Sequence, residues 1–239
     1  MLEAGLWGLA AASTLVIGAL IGLYVPIARR WVALAMAFGA GALVSALSFD
    51  LTEEAFNNSN APVVAAGLAA GALTFYFGNR LISEDRRGKG VEPAASSNGL
   101  ALALGALLDG IPESVVLGST LLGGAMISVP FLAAVAISNL PEGLSAAADL
   151  KREGHSTGWI MRLWVVVALA SGLAAALGYA LLGDMGPFWV PLIQAFAAGA
   201  ILTMLVDTMI PEAYEGGGGA TGLVTVAGFA LAFLLTTVD

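Results

Sequence analysis

The chain has 239 residues, of which 59% are hydrophobic and only 11% are charged, and its mean hydropathy is +0.90. A soluble domain of this length needs more charge on its surface, so the composition excludes an ordinary soluble protein. The net charge of −8 argues against a nucleic-acid-binding protein. The absence of cysteine excludes disulfides and thiolate metal ligands.

Eight apolar stretches follow one another along the chain, each close to the roughly 20 residues that a helix needs to cross a bilayer. They cover approximately residues 4–25, 31–52, 61–82, 98–123, 126–149, 158–183, 188–210 and 219–238. The first begins near Met1 without a basic segment and is interpreted as a span rather than a cleaved signal peptide. The pattern predicts an all-α polytopic membrane protein with a single transmembrane transporter domain over residues 1–239.

The basic residues predict how the chain is oriented in the lipid bilayer. All nine lie in or beside the predicted loops 1–2, 3–4 and 5–6, and they are Arg29, Arg30, Arg80, Arg86, Arg87, Lys89, Lys151, Arg152 and Arg162. Basic residues are retained on the cytoplasmic side. We therefore expect a protein of the plasma or inner membrane with both termini outside and with loops 1–2, 3–4, 5–6 and 7–8 in the cytoplasm. The polar segment 83–98 is predicted to be a flexible cytoplasmic loop.

An internal repeat relates the second predicted span to the seventh. Trp31–Phe56 and Trp189–Tyr214 align without a gap, and 11 of the 26 aligned positions are identical. The copies start on opposite sides of the membrane, and such inverted repeats are typical of secondary transporters. We expect a 3+2+3 arrangement, in which residues of about 4–82 and 158–238 surround a central helix pair at about 98–149. Shared low complexity is the alternative, since both segments are rich in Ala and Leu.

Two similar motifs mark the central pair. The fourth span carries Asp109-Gly-Ile-Pro-Glu113-Ser, and the fifth carries Ser138-Asn-Leu-Pro-Glu142-Gly. A charged side chain at the bilayer centre costs about 2.5–3.5 kcal/mol, so these acids need a proton or a bound cation. Residues four apart share a helix face, and facing helices would place the oxygens around a small cavity. The alternative is structural: kinks at the prolines, with protonated acids bonded to a neighbouring helix.

Further polar residues outline a route for a cation. Ser145 and Asp149 continue the helix face of Ser138 and Glu142, with spacings of 4, 3 and 4 residues. Acids near the ends of the two repeated segments are the remaining candidates, namely Asp50 and Glu54 on the outside and Asp207 and Glu212 toward the cytoplasm. Asp50 and Glu54 have a simpler explanation as a solvated acidic helix end, and Asp149 has one as an interfacial residue.

The motifs resemble those of the ZIP (zinc/iron permease) family, and the chain looks like a divergent prokaryotic member. The resemblance covers the eight-span plan, and its specific core is residues 109–114 and 138–143. It implies that Asp109, Glu113, Ser138, Asn139 and Glu142 bind a divalent metal cation as cargo. It also implies uptake into the cytoplasm, a homodimer and an elevator-like movement of the central helices.

Several positions depart from the family pattern. Asp109 stands where the family usually has His, Ser138 where it has His or Gln, and Gly110 where it often has Asn. The only His is His155, in the predicted loop 5–6, so no buried imidazole is expected and one metal is expected rather than two. An oxygen-only site favours Mn²⁺, Fe²⁺ or Mg²⁺ more than a His site does. Zn²⁺ and Cd²⁺ also stay among the candidates, and no organic cofactor is expected.

Other functions fit the same acids. A transporter of protons or small organic cations would show no metal dependence, and the organic cations would need a larger cavity. An intramembrane aspartyl protease would use Asp109 and Asp207, but the chain has no G-x-G-D, H-E-x-x-H or G-x-S-x-G motif, so an enzyme is not expected. A transport-inactive relative of the family is a further alternative. In a metal transporter, two nearby glutamates repel, so binding should release protons and weaken at low pH.

Overall fold

The structure is a computed structural model that describes residues 1–88, 99–122, 125–186 and 188–237. Within these residues the regular elements are helices, and no strand is present. In chain order they are α1 (Leu2–Tyr24), α2 (Arg29–Asn57), α3 (Ala61–Gly88), α4 (Gly99–Ser119), α5 (Val129–Arg152), α6 (Thr157–Gly183), α7 (Trp189–Met204, continued by Leu205–Met209 and Ile210–Gly217) and α8 (Thr221–Thr236). Residues 89–98 of the predicted cytoplasmic loop, with Lys89, lie outside the described residues.

Six helical stretches in the described part of the chain are long and apolar enough to cross a membrane. They are α1, α2, Ala61–Leu81 of α3, α5, α6 and a stretch of 48 residues, Trp189–Thr236, that combines α7 and α8. A straight helix of that length would measure about 72 Å, more than twice the hydrocarbon thickness. Gly218 divides it, because its φ of +65° belongs to a region that favours glycine. These stretches are consistent with an integral membrane protein, and the eight-span plan stays a prediction.

Three helices extend beyond the apolar stretches that predict them. α2 continues to Asn57 instead of residue 52, α3 to Gly88 instead of residue 82, and α7 to Gly217 instead of residue 210. The first residues of the predicted loop, 83–88, are therefore helical. Hydropathy marks where the lipid ends, whereas Glu and Arg are good helix formers that continue a helix into water. The ends of the helices consequently follow helix propensity rather than apolarity.

α2 and α7 each contain a π-helical segment, at Leu47–Thr52 and Leu205–Met209. The ungapped alignment of the repeat pairs Leu47 with Leu205, so both segments begin at the same aligned position. Such segments are rare and occur frequently at functional sites. An Ala- and Leu-rich composition does not specify where a π-helical segment begins. The coincidence therefore favours a true repeat over shared low complexity.

Glycines bring the backbones of α2 and α8, and of α3 and α7, into close contact. A Cβ atom added to Gly41 of α2 would overlap the carbonyl oxygen of Thr225 in α8. Gly199 of α7, which aligns with Gly41, meets the carbonyl oxygen of Leu68 in α3 in the same way. Each pair has a second contact from the other helix. A Cβ atom added to Gly71 of α3 would overlap the carbonyl oxygen of Phe196 in α7, and one added to Gly228 of α8 would overlap that of Phe38 in α2. Small residues that let backbones approach closely stabilise helix pairs in lipid. Here glycines make the same kind of contact between α2 and α8 and between α3 and α7.

The remaining helices form a second group. Gly143 of α5 faces a backbone carbonyl of α1, Gly118 of α4 faces one of α6, and α1 also packs against α6. One bundle thus contains α1, α4, α5 and α6, and the other contains α2, α3, α7 and α8. Their interface, which we call the seam, is formed mainly by α2 against α5 and by α4 against α7. Both helices with a Pro-Glu motif therefore lie at the seam.

Candidate metal centre

The two motif helices cross the protein without ending at their prolines. α4 continues through Pro112 and α5 continues through Pro141. The two helices make few direct contacts with each other, and cavities lie between them. Asp109 and Glu142 both line two of these cavities, with volumes of about 170 and 140 Å³. One carboxylate from each motif therefore reaches a shared space.

The 140 Å³ cavity, which we call the central cavity, lies at the seam. Asp109 and Glu142 form one wall, and the facing wall comes from α2 and α7, with Met36, Met204, Thr208, Met209 and Glu212. The described residues that line it include no Lys or Arg. The available groups are carboxylate, hydroxyl and thioether, all of which can contact a cation. The central cavity therefore suits a small cation and contains no positive side chain of its own.

Glu113 is a third carboxylate, one helical turn from Asp109 on α4, and it is not among the described residues that line this cavity. Glu113 is 3% exposed, and its carboxylate interacts electrostatically with those of Asp109 and Glu142. Glu212 interacts with Glu142 in the same way. Carboxylates this close repel unless a proton or a cation lies among them. No group of three His, Cys, Asp or Glu within the described residues has the arrangement of a preformed metal site, so binding one ion requires these side chains to turn toward it.

Ser138 and Asn139 have partners away from the central cavity. The Ser138 hydroxyl, in a residue 1% exposed, donates to the carbonyl oxygen of Val135 at 2.9 Å. The Asn139 Nδ2 donates to the carbonyl oxygen of Ala11 in α1 at 3.4 Å. Neither residue lines the two cavities that the motif carboxylates share. The three acids of the predicted site thus lie on the two facing motif helices. The Ser138 hydroxyl and the Asn139 amide instead bond to backbone carbonyl oxygens and take no part in lining these cavities.

The polar face of α5 continues from Glu142 along the helix. Ser145 donates a hydrogen bond to Oε1 of Glu212 at 2.8 Å, which connects α5 to α7. Asp149, one turn further, pairs with Arg152 at 2.6 Å, and both of these side chains are more than half exposed. The face predicted from spacing is therefore polar from the middle of α5 to its C-terminal end.

Two more cavities extend the central cavity in the same direction. Their volumes are about 260 and 250 Å³, and both are lined by Met36, Ser145, Asp149 and Glu212. The 260 Å³ cavity also shares Glu142 with the central cavity. The 250 Å³ cavity reaches the start of α2 and the end of α5, at Arg29, Lys151 and Arg152. The central cavity with its motif carboxylates is therefore connected, through shared lining residues, to the end of the molecule that carries these basic residues.

Apolar side chains fill the opposite half of the seam. Five residues from four helices are each at most 1% exposed and belong to one core cluster, and they are Leu43, Leu51, Leu117, Phe131 and Leu205. Along α2, α4 and α5 these residues lie beyond the cavity toward the end opposite the basic residues. We call this the closed half. Cavities adjoin the carboxylates on one side, and a packed core adjoins them on the other.

The other predicted pathway residues lie in two places. Asp50 and Glu54 line a cavity of about 410 Å³ at the far end of α2, together with Asn57 and Asn58. Asp207 is exposed on the π-helical segment of α7 and is not among the described residues that line the cavities around the motif acids. His155 lies between α5 and α6, where its ring stacks on that of Trp159 at 4.4 Å.

Four residues of the central cavity are not predicted by the sequence motifs, and they are Met36, Met204, Thr208 and Met209. A methionine within an apolar stretch is ordinarily a flexible core residue, so the residue type alone does not indicate that it lines a cavity. One signal is present in the spacing, because Met204, Thr208 and Glu212 follow one another at intervals of four and share a face of α7. That face meets α5 across the seam, as the Ser145 hydrogen bond to Glu212 shows.

Comparison with known proteins identifies a distant relative. The chain is similar to a candidate zinc transporter of Arabidopsis thaliana, with 26% identity over 214 residues. The match covers 88% of this chain and 34% of the relative, so the chain spans about a third of the length of that protein. A match of this length within 239 residues necessarily includes α4 and α5. No protein-family model matches the chain.

Proposed function

We propose that the chain is a ZIP-type membrane transporter of divalent metal cations rather than an enzyme. The observation behind this proposal is that Asp109 and Glu142, from different helices, line one small cavity inside a bundle of apolar helices, with Glu113 beside them. Acids inside an apolar bundle that have no Lys or Arg among the described residues around them require a cation or a proton. The name of the Arabidopsis relative, a candidate zinc transporter, supports transport of a metal ion.

The arrangement in the membrane follows from the same proposal. Eight spans in a 3+2+3 order leave both termini outside and place the basic loops in the cytoplasm. The end of the cavity series at Arg29, Lys151 and Arg152 is then the cytoplasmic end. The conformation is accordingly open to the cytoplasm and closed to the outside, which corresponds to the release step of an uptake cycle.

In the proposed mechanism, Asp109, Glu113 and Glu142 replace water around one bound ion. Their negative charges compensate the loss of hydration that a dication suffers on leaving water. Glu212 is then the next carboxylate toward the cytoplasm. While no ion is present, its Oε1 accepts the hydrogen bond from Ser145. Opening this hydrogen bond as the ion arrives is the first step of release.

The lining of the central cavity narrows the choice of metal. An oxygen-only site is the sequence-based expectation, and it favours Mn²⁺, Fe²⁺ or Mg²⁺ over softer ions. Met36, Met204 and Met209 add thioether sulfurs to the wall, and sulfur ligands select softer metals. We therefore propose Zn²⁺ and Cd²⁺ as preferred ions, with Fe²⁺ and Mn²⁺ transported less well and Mg²⁺ excluded.

Replacing Met36 by Leu is expected to lower the preference for soft ions while leaving the fold intact, because the two side chains have similar volumes. The ratio of Cd²⁺ to Mn²⁺ uptake should fall by about tenfold, which corresponds to ~1.4 kcal/mol. Competition between the two ions during uptake into liposomes measures this ratio. Met161→Leu in α6, away from the described cavities, is the matched control. Equal ratios in the two variants would show that the Met36 sulfur does not contribute to selectivity.

The proposed function is tested with the purified protein in liposomes. Uptake and binding of Zn²⁺, Cd²⁺, Fe²⁺, Mn²⁺ and Mg²⁺ are compared at equal free concentrations. Saturable uptake of at least one of them supports the proposal, and the order of the ions tests the role of sulfur. If the protein neither binds nor transports any of these metals, the proposal is wrong and protons become the cargo to test.

The structure favours the metal over the other candidates. A cavity of about 140 Å³ is small compared with the roughly 300–1,000 Å³ of sites that bind organic ligands, which disfavours an organic cation. An aspartyl protease needs two adjacent aspartates. Asp109 instead lies among Glu113, Glu142 and the methionines, and the exposed Asp207 is not among the residues that line its cavities.

A further inference from the structure

Two buried side chains, one on α2 and one on α7, each have an oxygen atom without a hydrogen-bond partner. Gln194 of α7 is 2% exposed and its Oε1 accepts no hydrogen bond, while Ser45 of α2 is fully buried and its Oγ is also unpaired. Leaving such groups unpaired away from water costs free energy. Other hydroxyls in these helices avoid the cost by donating to a carbonyl one turn earlier, as Thr203 does to Gly199. Gln194 and Ser45 are therefore unexplained by the packing of this conformation.

Gln194 projects into the core that closes the outer route. It shares a face of α7 with Ala198, Ile201 and Leu205, which follow at intervals of four, three and four residues. Those three residues belong to the same core cluster as Leu43 of α2 and the fully buried Phe131 of α5. Gln194 also precedes Met204 of the central cavity along α7, whereas Glu212 follows it toward the basic end, so the unpaired amide oxygen lies on the side of the cavity away from the basic residues.

The repeat assigns a counterpart to Gln194. In the ungapped alignment Gln194 pairs with Met36, which lines the central cavity and both cavities that lead to the cytoplasmic end. The same alignment pairs Glu212, which lines those cavities, with Glu54, which lines the cavity at the opposite end. Equivalent positions in α2 and α7 therefore face routes on opposite sides of the membrane.

In transporters with inverted repeats, alternating access moves one repeat or bundle against the other around the binding site, so we expect equivalent positions of the two repeats to line the route in opposite states. We propose that Gln194 is the outer counterpart of Met36: in the outward-open state its amide lines the route and gives an incoming cation an oxygen ligand ahead of the motif carboxylates. Amide oxygens are accepted ligands for divalent cations. This inference rests on the proposed transport function. It also explains why an unpaired amide is buried here, because the same side chain is hydrated in the other state.

The inference is tested by the accessibility of single cysteines, which is straightforward because the chain has none of its own. Gln194→Cys and Met36→Cys are reacted with a membrane-impermeant maleimide from each side of sealed vesicles. Ala195→Cys is the matched control, since Ala195 is adjacent, fully buried and directed at α3 instead of the seam. Labelling after denaturation verifies that each thiol is present and unmodified.

We expect Gln194→Cys to react from one side only, opposite to the side from which Met36→Cys reacts. Its rate should exceed that of Ala195→Cys by about tenfold or more, because a minor outward-open state is populated at roughly 0.1–10% and the control thiol is buried in both states. Equal rates for the two neighbouring cysteines, or labelling from the same side as Met36→Cys, would overturn the inference.

A functional variant separates this inference from the proposed cargo. Gln194→Leu keeps the volume and removes the amide, and we expect the KM for metal uptake to rise about tenfold, equivalent to ~1.4 kcal/mol of lost binding. The protein level should stay the same and the melting temperature should be equal to that of the wild type or higher, because the substitution removes an unpaired buried oxygen. An unchanged KM would contradict the role of the amide as a ligand. If the cysteines label as expected but the wild type transports no metal, alternation of the seam stands and the metal cargo is wrong.

Discussion

Glu142→Gln is expected to abolish saturable metal uptake, with a loss of about 100-fold or more. The substitution keeps the shape of the side chain and removes its negative charge from a cavity that Asp109 and Glu212 also line. Removing one partner of a buried charge interaction costs roughly 3–5 kcal/mol, which is more than 100-fold in affinity. Radiolabelled or fluorescent measurement of ion uptake into liposomes, at several ion concentrations, gives both the rate and the apparent affinity.

The same substitution at an exposed position provides the control. Glu215 lies on α7 near the end of the helix and is exposed, so Glu215→Gln should transport like the wild type. Glu113→Gln should behave like Glu142→Gln, since its residue is 3% exposed beside the same acids. Full uptake by Glu142→Gln in protein of normal stability would mean that the ion passes without using the carboxylate on α5.

Gly71→Ala is expected to separate α3 from α7 and to destabilise the protein strongly. The added methyl group would overlap the carbonyl oxygen of Phe196, and neither backbone can yield without breaking its own helix. Overpacking of this kind costs about 1–3 kcal/mol and occasionally more. Thermal unfolding in detergent, followed by size-exclusion chromatography, measures the loss. Gly228→Ala, at the reciprocal contact between α8 and α2, should lower the melting temperature by a similar amount.

Gly222→Ala in α8 is the matched control for this prediction. An added Cβ there has open space around it, and Ala is favoured over Gly in a helix by about 0.8–1.0 kcal/mol. The control should therefore melt at the same temperature as the wild type or slightly above it. If Gly71→Ala also melts unchanged, the backbones of α3 and α7 do not approach as closely as described.

The sequence predicts well what depends on residue type and spacing. The acids Asp109, Glu113 and Glu142 stand out because a carboxylate in an apolar stretch is costly wherever it lies in the bilayer. Ser145 and Asp149 follow from helical periodicity alone, and both line the cavities that lead away from Glu142. These predictions require only the positions of residues within a single helix, and helical periodicity supplies those positions.

What depends on two helices at once is not predictable in this way. Asn139 fits the motif, yet its amide bonds to α1, because the motif glycine Gly143 packs against the backbone of α1 and turns this side of α5 toward that helix. Met36 and Met204 reach the central cavity from the other bundle, and nothing in an apolar stretch indicates which neighbour it will meet. The ends of α2, α3 and α7 differ from the predicted ends for a further reason. Hydropathy indicates which residues suit the lipid, whereas the end of a helix depends on where its backbone hydrogen bonds stop.

The paired π-helical segments also record something about the origin of the chain. A π-helical turn is what results when one residue is inserted into an established α-helix, because the helix beyond it is rotated by about 100° yet keeps its hydrogen bonds. Both copies have this feature beginning at one aligned position, Leu47 and Leu205. If the two segments descend from one ancestral copy, a single insertion before the duplication accounts for both. A present-day protein with one unfused copy is then expected to contain the same extra residue, and its absence there would place the insertions after the duplication.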